Sequence, residues 1–168
     1  MTPAAISDAD RLAVAAQLGR QPRGLDQVGH RCRCGRPDVV VTAPRLDDGT
    51  PFPTTFYLTC PRASAAVSTL EAGGLMRDMT ARLAGEPELA AAHRAAHTDY
   101  LSRRASLGEV PEIDGISAGG MPDRVKCLHA LLAHALAAGP GVNPLGDETL
   151  AAVRPWWPGG PCVPAEPS

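Results

Sequence analysis

Apolar and polar positions along the chain change period twice, and the changes mark out the elements. Leu12, Ala15, Ala16 and Gly19 recur at helical spacing behind Ser7 and Asp10, which stand three apart as in a capping box. A short helix is expected to open at Ser7 and stop at Gly19. Residues 20–36 (RQPRGLDQVGHRCRCGR) mix Gly, Pro and Arg without a period and read as a loop. Asp38–Thr42, with three consecutive valines, and Thr54–Thr59 (TTFYLT) have the β-branched and aromatic content of strands. Between them PRLDDGTPFP has turn chemistry around Asp48-Gly49, which predicts an antiparallel hairpin closed by a long loop. Beyond Cys60-Pro61 the period becomes helical: Ser64–Ala72, then Leu75, Met79 and Leu83 up to Gly85. A longer helix follows from Pro87 to about Ala105, with Leu89, His93, Ala96 and Tyr100 on one face. Residues 108–121 read as a loop, Pro122–Ala138 as a helix with proline in its first turn, and a last short helix ends near Val153.

The expected class is therefore α+β: a small antiparallel hairpin or sheet packed against about five helices, one domain over 1–153. The Pro/Gly-rich tail over 154–168 is expected to be disordered, with Trp156 or Trp157 pinned to the body. At 168 residues and 44% hydrophobic, the chain can bury a sizeable core. It has no apolar run near the ~20 residues that a membrane span requires. Acids at Asp8 and Asp10 interrupt the stretch where a secretory leader would be apolar, so a cytoplasmic location is expected. In that compartment five cysteines, an odd number, suggest metal or catalysis rather than a disulfide framework.

Cys32-Arg33-Cys34-Gly35 precedes the first strand and Cys60 follows the second. Pairing about Asp48-Gly49 opposes residues whose numbers sum to about 97, which sets Cys60 near residue 37, three positions or about 10 Å from Cys34. Thiols gathered at one end of a hairpin are how zinc ribbons collect ligands. A fourth ligand is expected from Lys126-Cys127-Leu128-His129 or from His134. On a regular helix Cys127 and His129 point about 200° apart, and Cys127 and His134 are about 10.5 Å apart, so only one of them can join a mononuclear site. Cys32, Cys34, Cys60 and Cys127 together would suit zinc or an iron–sulfur cluster. The plain alternative is that Val125, Leu128, Leu132, Ala135 and Leu136 form an ordinary buried stripe, with small apolar thiols nearby. His93 and His97, at i and i+4, have metal-ligand spacing, but His93 falls on the Leu89/Tyr100 face, where core packing explains it.

Charge suggests a second chemistry. The net charge is −2, yet from Arg11 to Arg45 seven arginines meet only Asp26 and Asp38, a local balance of +5. Arg31, Arg33 and Arg36 are candidates to hold RNA or another phosphate-bearing ligand, although a solvated face has the same composition. Gly119-Gly120 leading into a helix at Pro122, with Lys126 following, would offer free N–H groups to an anion, although no G-K-[ST] is present. A third reading makes Cys127 a nucleophile activated near a helix start by a neighbouring histidine.

The strings PRGLDQVGHRCRCGRPDVVVTAPRL, DGTPFPTTFYLTCPR and SAGGMPDRVKCLHALLAHALAAGPGVNPLGD resemble a bacterial family known only as domain of unknown function 501, over about Gly19–Asp147. The resemblance implies no reaction. It puts weight on Cys32, Cys60, Cys127, His129 and His134 and less on Cys34, favouring three thiols and a histidine over four thiols. Metal binding therefore leads the expectations, with anion binding and thiol chemistry as alternatives.

Overall fold

The computed structural model describes residues 4–163. Four strands, β1 (Ala4–Ala5), β2 (Leu25–Arg31), β3 (Pro37–Thr42) and β4 (Phe56–Leu58), form one antiparallel sheet in sequence order. The helices are α1 (Asp8–Leu18), α2 (Pro61–Ala72), α3 (Leu75–Gly85), α4 (Pro87–Ala105), α5 (Leu128–Ala138) and α6 (Pro144–Ala152), with a 3-10 turn at Pro111–Ile113. The α+β class is borne out.

The hairpin register agrees with the sequence arithmetic: Val39 pairs with Leu58, Val40 with Tyr57 and Val41 with Phe56. Every residue of β3 is buried, because both faces of the sheet are covered. Val39 and Val41 join the main core, whereas Val40 lies on the other face, in a hollow that Leu18 of α1 also lines. The capping box holds too: the Asp10 N–H donates to Ser7 Oγ, the Ser7 N–H donates back to the Asp10 carboxylate, and Gly19 ends α1 at φ 69°.

Two expectations are corrected. Residues 20–36 are not all loop, since β2 pairs along β3. Its register slips at three places, which breaks the period-2 alternation by which a strand is recognised. Gly29 fits β2 by its size, because a Cβ there would lie 3.0 Å from Val39 Cγ1. The last long helix starts at Leu128 rather than Pro122. Pro122 offers no N–H, the Val125 N–H donates to Thr80 Oγ1 and the Lys126 N–H to the Gly119 carbonyl, so the segment before Cys127 makes tertiary bonds in place of a helical ladder.

Helix α5 is the centre of the molecule. Its sequence, LHALLAHALAA, is apolar nearly all round, and it packs on the sheet, α2 and α6. The approach of α6 depends on Gly146, where a Cβ would sit 2.7 Å from Ala135 Cβ. Beyond α6 the chain folds back over residues 154–163: Trp156 is buried, and Arg62 donates to the Gly160 carbonyl at 2.9 Å. The end of the expected tail, residues 164–168, lies outside the described residues.

Candidate active site

The thiols fall into three places. Cys32 and Cys34 interact with each other, because the Gly35 N–H closes a tight turn onto the Cys32 carbonyl and folds Cys34 back. Cys60, two residues beyond β4, is the N-cap of α2, and its thiol meets Cys162 from the tail segment. Burial pushes Cys60 up to about 12 and also raises Cys32, so both stay protonated at neutral pH. Cys127 sits elsewhere, at the N-cap of α5, with His129. Among the described residues, the single group of three metal-capable side chains within 4.8 Å of one another is Glu71, Cys127 and His129. The structure thus brings Cys127 and His129 together and does not gather Cys32, Cys34 and Cys60 around them.

The local backbone makes this pairing possible. Cys127 is extended (φ −150°, ψ 110°) and outside the helix, so the expected divergence of about 200° does not apply to it. Glu71, near the end of α2, crosses to the start of α5, where its Oε1 accepts the Leu128 N–H at 2.8 Å and lies 3.0 Å from His129 Nδ1. His129 Nε2 lies 3.1 Å from the Ser64 carbonyl oxygen, which can only accept. Both ring nitrogens therefore face acceptors, and an imidazolium satisfies both. His129 is raised to about 9, by the Cys127 sulfur first and by Glu71 as well, against the effect of burial. At Cys127 burial disfavours the thiolate, but the His129 ring and the Ala130 N–H outweigh it and bring the thiol below its ordinary value.

Cys127 and His129 open onto a cavity of about 380 Å³ with Phe56 and Leu58 on one side and Ser117 and Gly119 on another. Among the described residues, no Asp, Glu, Lys or Arg lines it: besides Cys127 and His129 the wall is apolar, hydroxyl-bearing or backbone. Arg104, buried on α4, donates to the carbonyls of Pro53, Ile113 and Ile116, which fixes the residues leading into Thr54 and Ser117 of that wall.

The other histidines are engaged too, His30 by Asp38 Oδ1 at 2.7 Å from its Nδ1. His134 is fully buried, with Nε2 2.8 Å from Asp99 Oδ2, Nδ1 accepting from Asn143 Nδ2 at 3.1 Å, and its ring stacked on Phe56. Both nitrogens are occupied, so His134 serves the core. His93 is likewise buried and donates to the Arg124 carbonyl. His97 instead turns to Ser117, with Nδ1 2.7 Å from Oγ.

The arginine-rich stretch is largely engaged within the fold. Arg23 pairs with Asp48, Arg31 with Asp10 and Arg45 with Glu112, while Arg33 covers the Trp157 ring at 4.6 Å; Arg36 also has an interaction within the structure. Gly119 and Gly120, at φ 68° and 91°, form a tight turn against Lys126 and the Arg124 carbonyl rather than a helix start. Glu71 carried no sequence signal, being 58 residues from His129 in an ordinary helix; Ser117 and His97 were missed as a pair for the same reason.

No curated protein and no solved structure matches the chain. A family model described as protein of unknown function (DUF501) matches residues 28–151. That span is most of the chain and includes Glu71, Ser117, Cys127 and His129, so the chain belongs to the DUF501 family.

Proposed function

We propose that the protein is a cysteine-nucleophile enzyme acting on an acyl group. The observation that carries this reading is the Cys127–His129–Glu71 arrangement at the N-terminus of α5, facing a cavity. It has the parts of an activated thiol: a nucleophile, a neighbouring imidazole and a carboxylate that orients the ring. The Leu128 N–H, at the positive end of α5, reinforces it by meeting Glu71. A wall without Arg or Lys suits a neutral carbonyl compound better than a phosphate ester.

In this reading the Cys127 thiolate attacks the carbonyl carbon of an ester, and the C=O π pair moves to oxygen. Collapse of the tetrahedral intermediate re-forms the carbonyl and breaks the bond to the leaving oxygen, which takes a proton from His129. Water then hydrolyses the thioester, with neutral His129 accepting its proton, so ester and water become acid and alcohol and the thiolate–imidazolium pair is restored.

The test is competitive alkylation by iodoacetamide at pH 6, mapped by peptide mass. Cys127 should label at least about tenfold faster than the other thiols, and Glu71→Gln should slow it, because the carboxylate charge that helps keep His129 protonated is lost. Uniform slow labelling of all five cysteines removes the reading.

A second reading, zinc binding, is favoured by the closeness of those three side chains, with His129 still donating to the Ser64 carbonyl as metal-bound histidines often do. Zinc near one equivalent in protein purified without added metal, with Cys127 shielded from alkylation until a chelator is added, favours zinc over thiol chemistry.

A further inference from the structure

We propose that Ser117, held by His97, donates the hydrogen bond that meets the negative charge forming on the substrate carbonyl oxygen when Cys127 attacks. This rests on the thiol reading above. An oxyanion beside a helix N-terminus is ordinarily met by first-turn N–H groups. In α5 the first of these, the Leu128 N–H, is already taken by Glu71 at 2.8 Å, which leaves fewer of them for an oxyanion. The His129 proton is reserved for the leaving oxygen. A further donor is then needed from the rest of the wall.

Ser117 meets that need. It is 5% exposed and lines the same cavity as Cys127, which keeps the residue out of bulk water. His97 Nδ1 lies 2.7 Å from its Oγ, and the competing acceptor, the Met121 carbonyl, is 3.5 Å away, at the limit of a hydrogen bond. With hydrogen on Nδ1, His97 donates to Oγ, holds the rotor and leaves the hydroxyl hydrogen for the substrate. Burial, first among the influences on it, lowers His97 and keeps it neutral, with Arg104 acting the same way and Asp123 opposing. Arg104 also grips the Ile116 carbonyl, so the backbone that carries Ser117 is fixed from α4 as well. Ser117 is thus assigned as a catalytic residue and His97 as its positioning residue.

Two reactions at the same sulfur separate this role from a structural one. p-Nitrophenyl acetate acylates a thiolate through an oxyanion, releasing p-nitrophenolate; iodoacetamide alkylates it by displacing iodide at a tetrahedral carbon, with no oxyanion. Ser117→Ala should slow acylation about 10²–10³-fold while the alkylation rate changes by less than about twofold. Ser117→Thr, which keeps the hydroxyl, should retain most of the acylation rate, and His97→Gln should lower acylation while sparing alkylation. Equal falls in both reactions for Ser117→Ala, or no fall in either, overturn the assignment. If alkylation of Cys127 is fast but wild-type protein releases p-nitrophenolate no faster than Cys127→Ser, the acyl reading fails and Ser117 loses its role with it. If Cys127 is not the fast thiol, the nucleophile itself is misassigned, a distinct failure.

Discussion

Individual side chains in this molecule often serve two elements at once, and Asn143 is the clearest case. Its Oδ1 accepts the Gly146 N–H at 2.9 Å as the cap of α6, while its Nδ2 donates to His134 Nδ1 inside the core. Asn143→Ala should cost about 2–3 kcal/mol, combining a lost cap with a buried ring nitrogen left unpaired, read as a lower urea midpoint with unchanged slope. At this scale much of the site was out of reach of the sequence. Cys127 and His129 stand in one short string, KCLH, and were recognisable as chemistry. Glu71 was not, because nothing in a lone helical carboxylate announces which distant nitrogen it will meet. His134 shows the converse: a histidine at a suggestive spacing whose two nitrogens are both taken by core neighbours.

Helices and strands were more legible where their signals are local. The capping box, the Gly19 stop and the β3–β4 register followed from side-chain chemistry and counting, and all three hold. β2 was lost because its bulges scramble alternation, and the start of α5 was misjudged because tertiary hydrogen bonds win over the local promise of Pro122. Element contacts also rest on small residues at closest approach. Gly146→Ala should destabilise by about 1–3 kcal/mol, since the new methyl would press on α5, whereas Gly85→Ala, which meets nothing within 4 Å, should shift stability by less than about 1 kcal/mol. Thermal melts of the two variants, compared with wild type, check the contrast.

For the whole molecule, α1 is tied to the sheet by an ion pair. Asp10 of α1 receives both Arg31 guanidinium nitrogens at 2.8 Å, and Arg31 is the chief reason that its carboxyl falls from 3.8 to about 2. A carboxylate lowered in the folded state stabilises above its unfolded value, and the benefit fades as pH drops through the folded one. Wild type should therefore lose about 1–2 kcal/mol more than Arg31→Gln as pH falls from 3.8 to 2, after allowance for the half-exposed guanidinium. Denaturant midpoints across that window test it.

The burial of α5 on nearly every side has one more consequence. A helix packed against the sheet, α2 and α6 has no separate way to fray, so it belongs to the portion of the protein that opens last. The sulfur at its head is thereby mounted on the most persistent part of the architecture, and its surroundings last as long as the native state does.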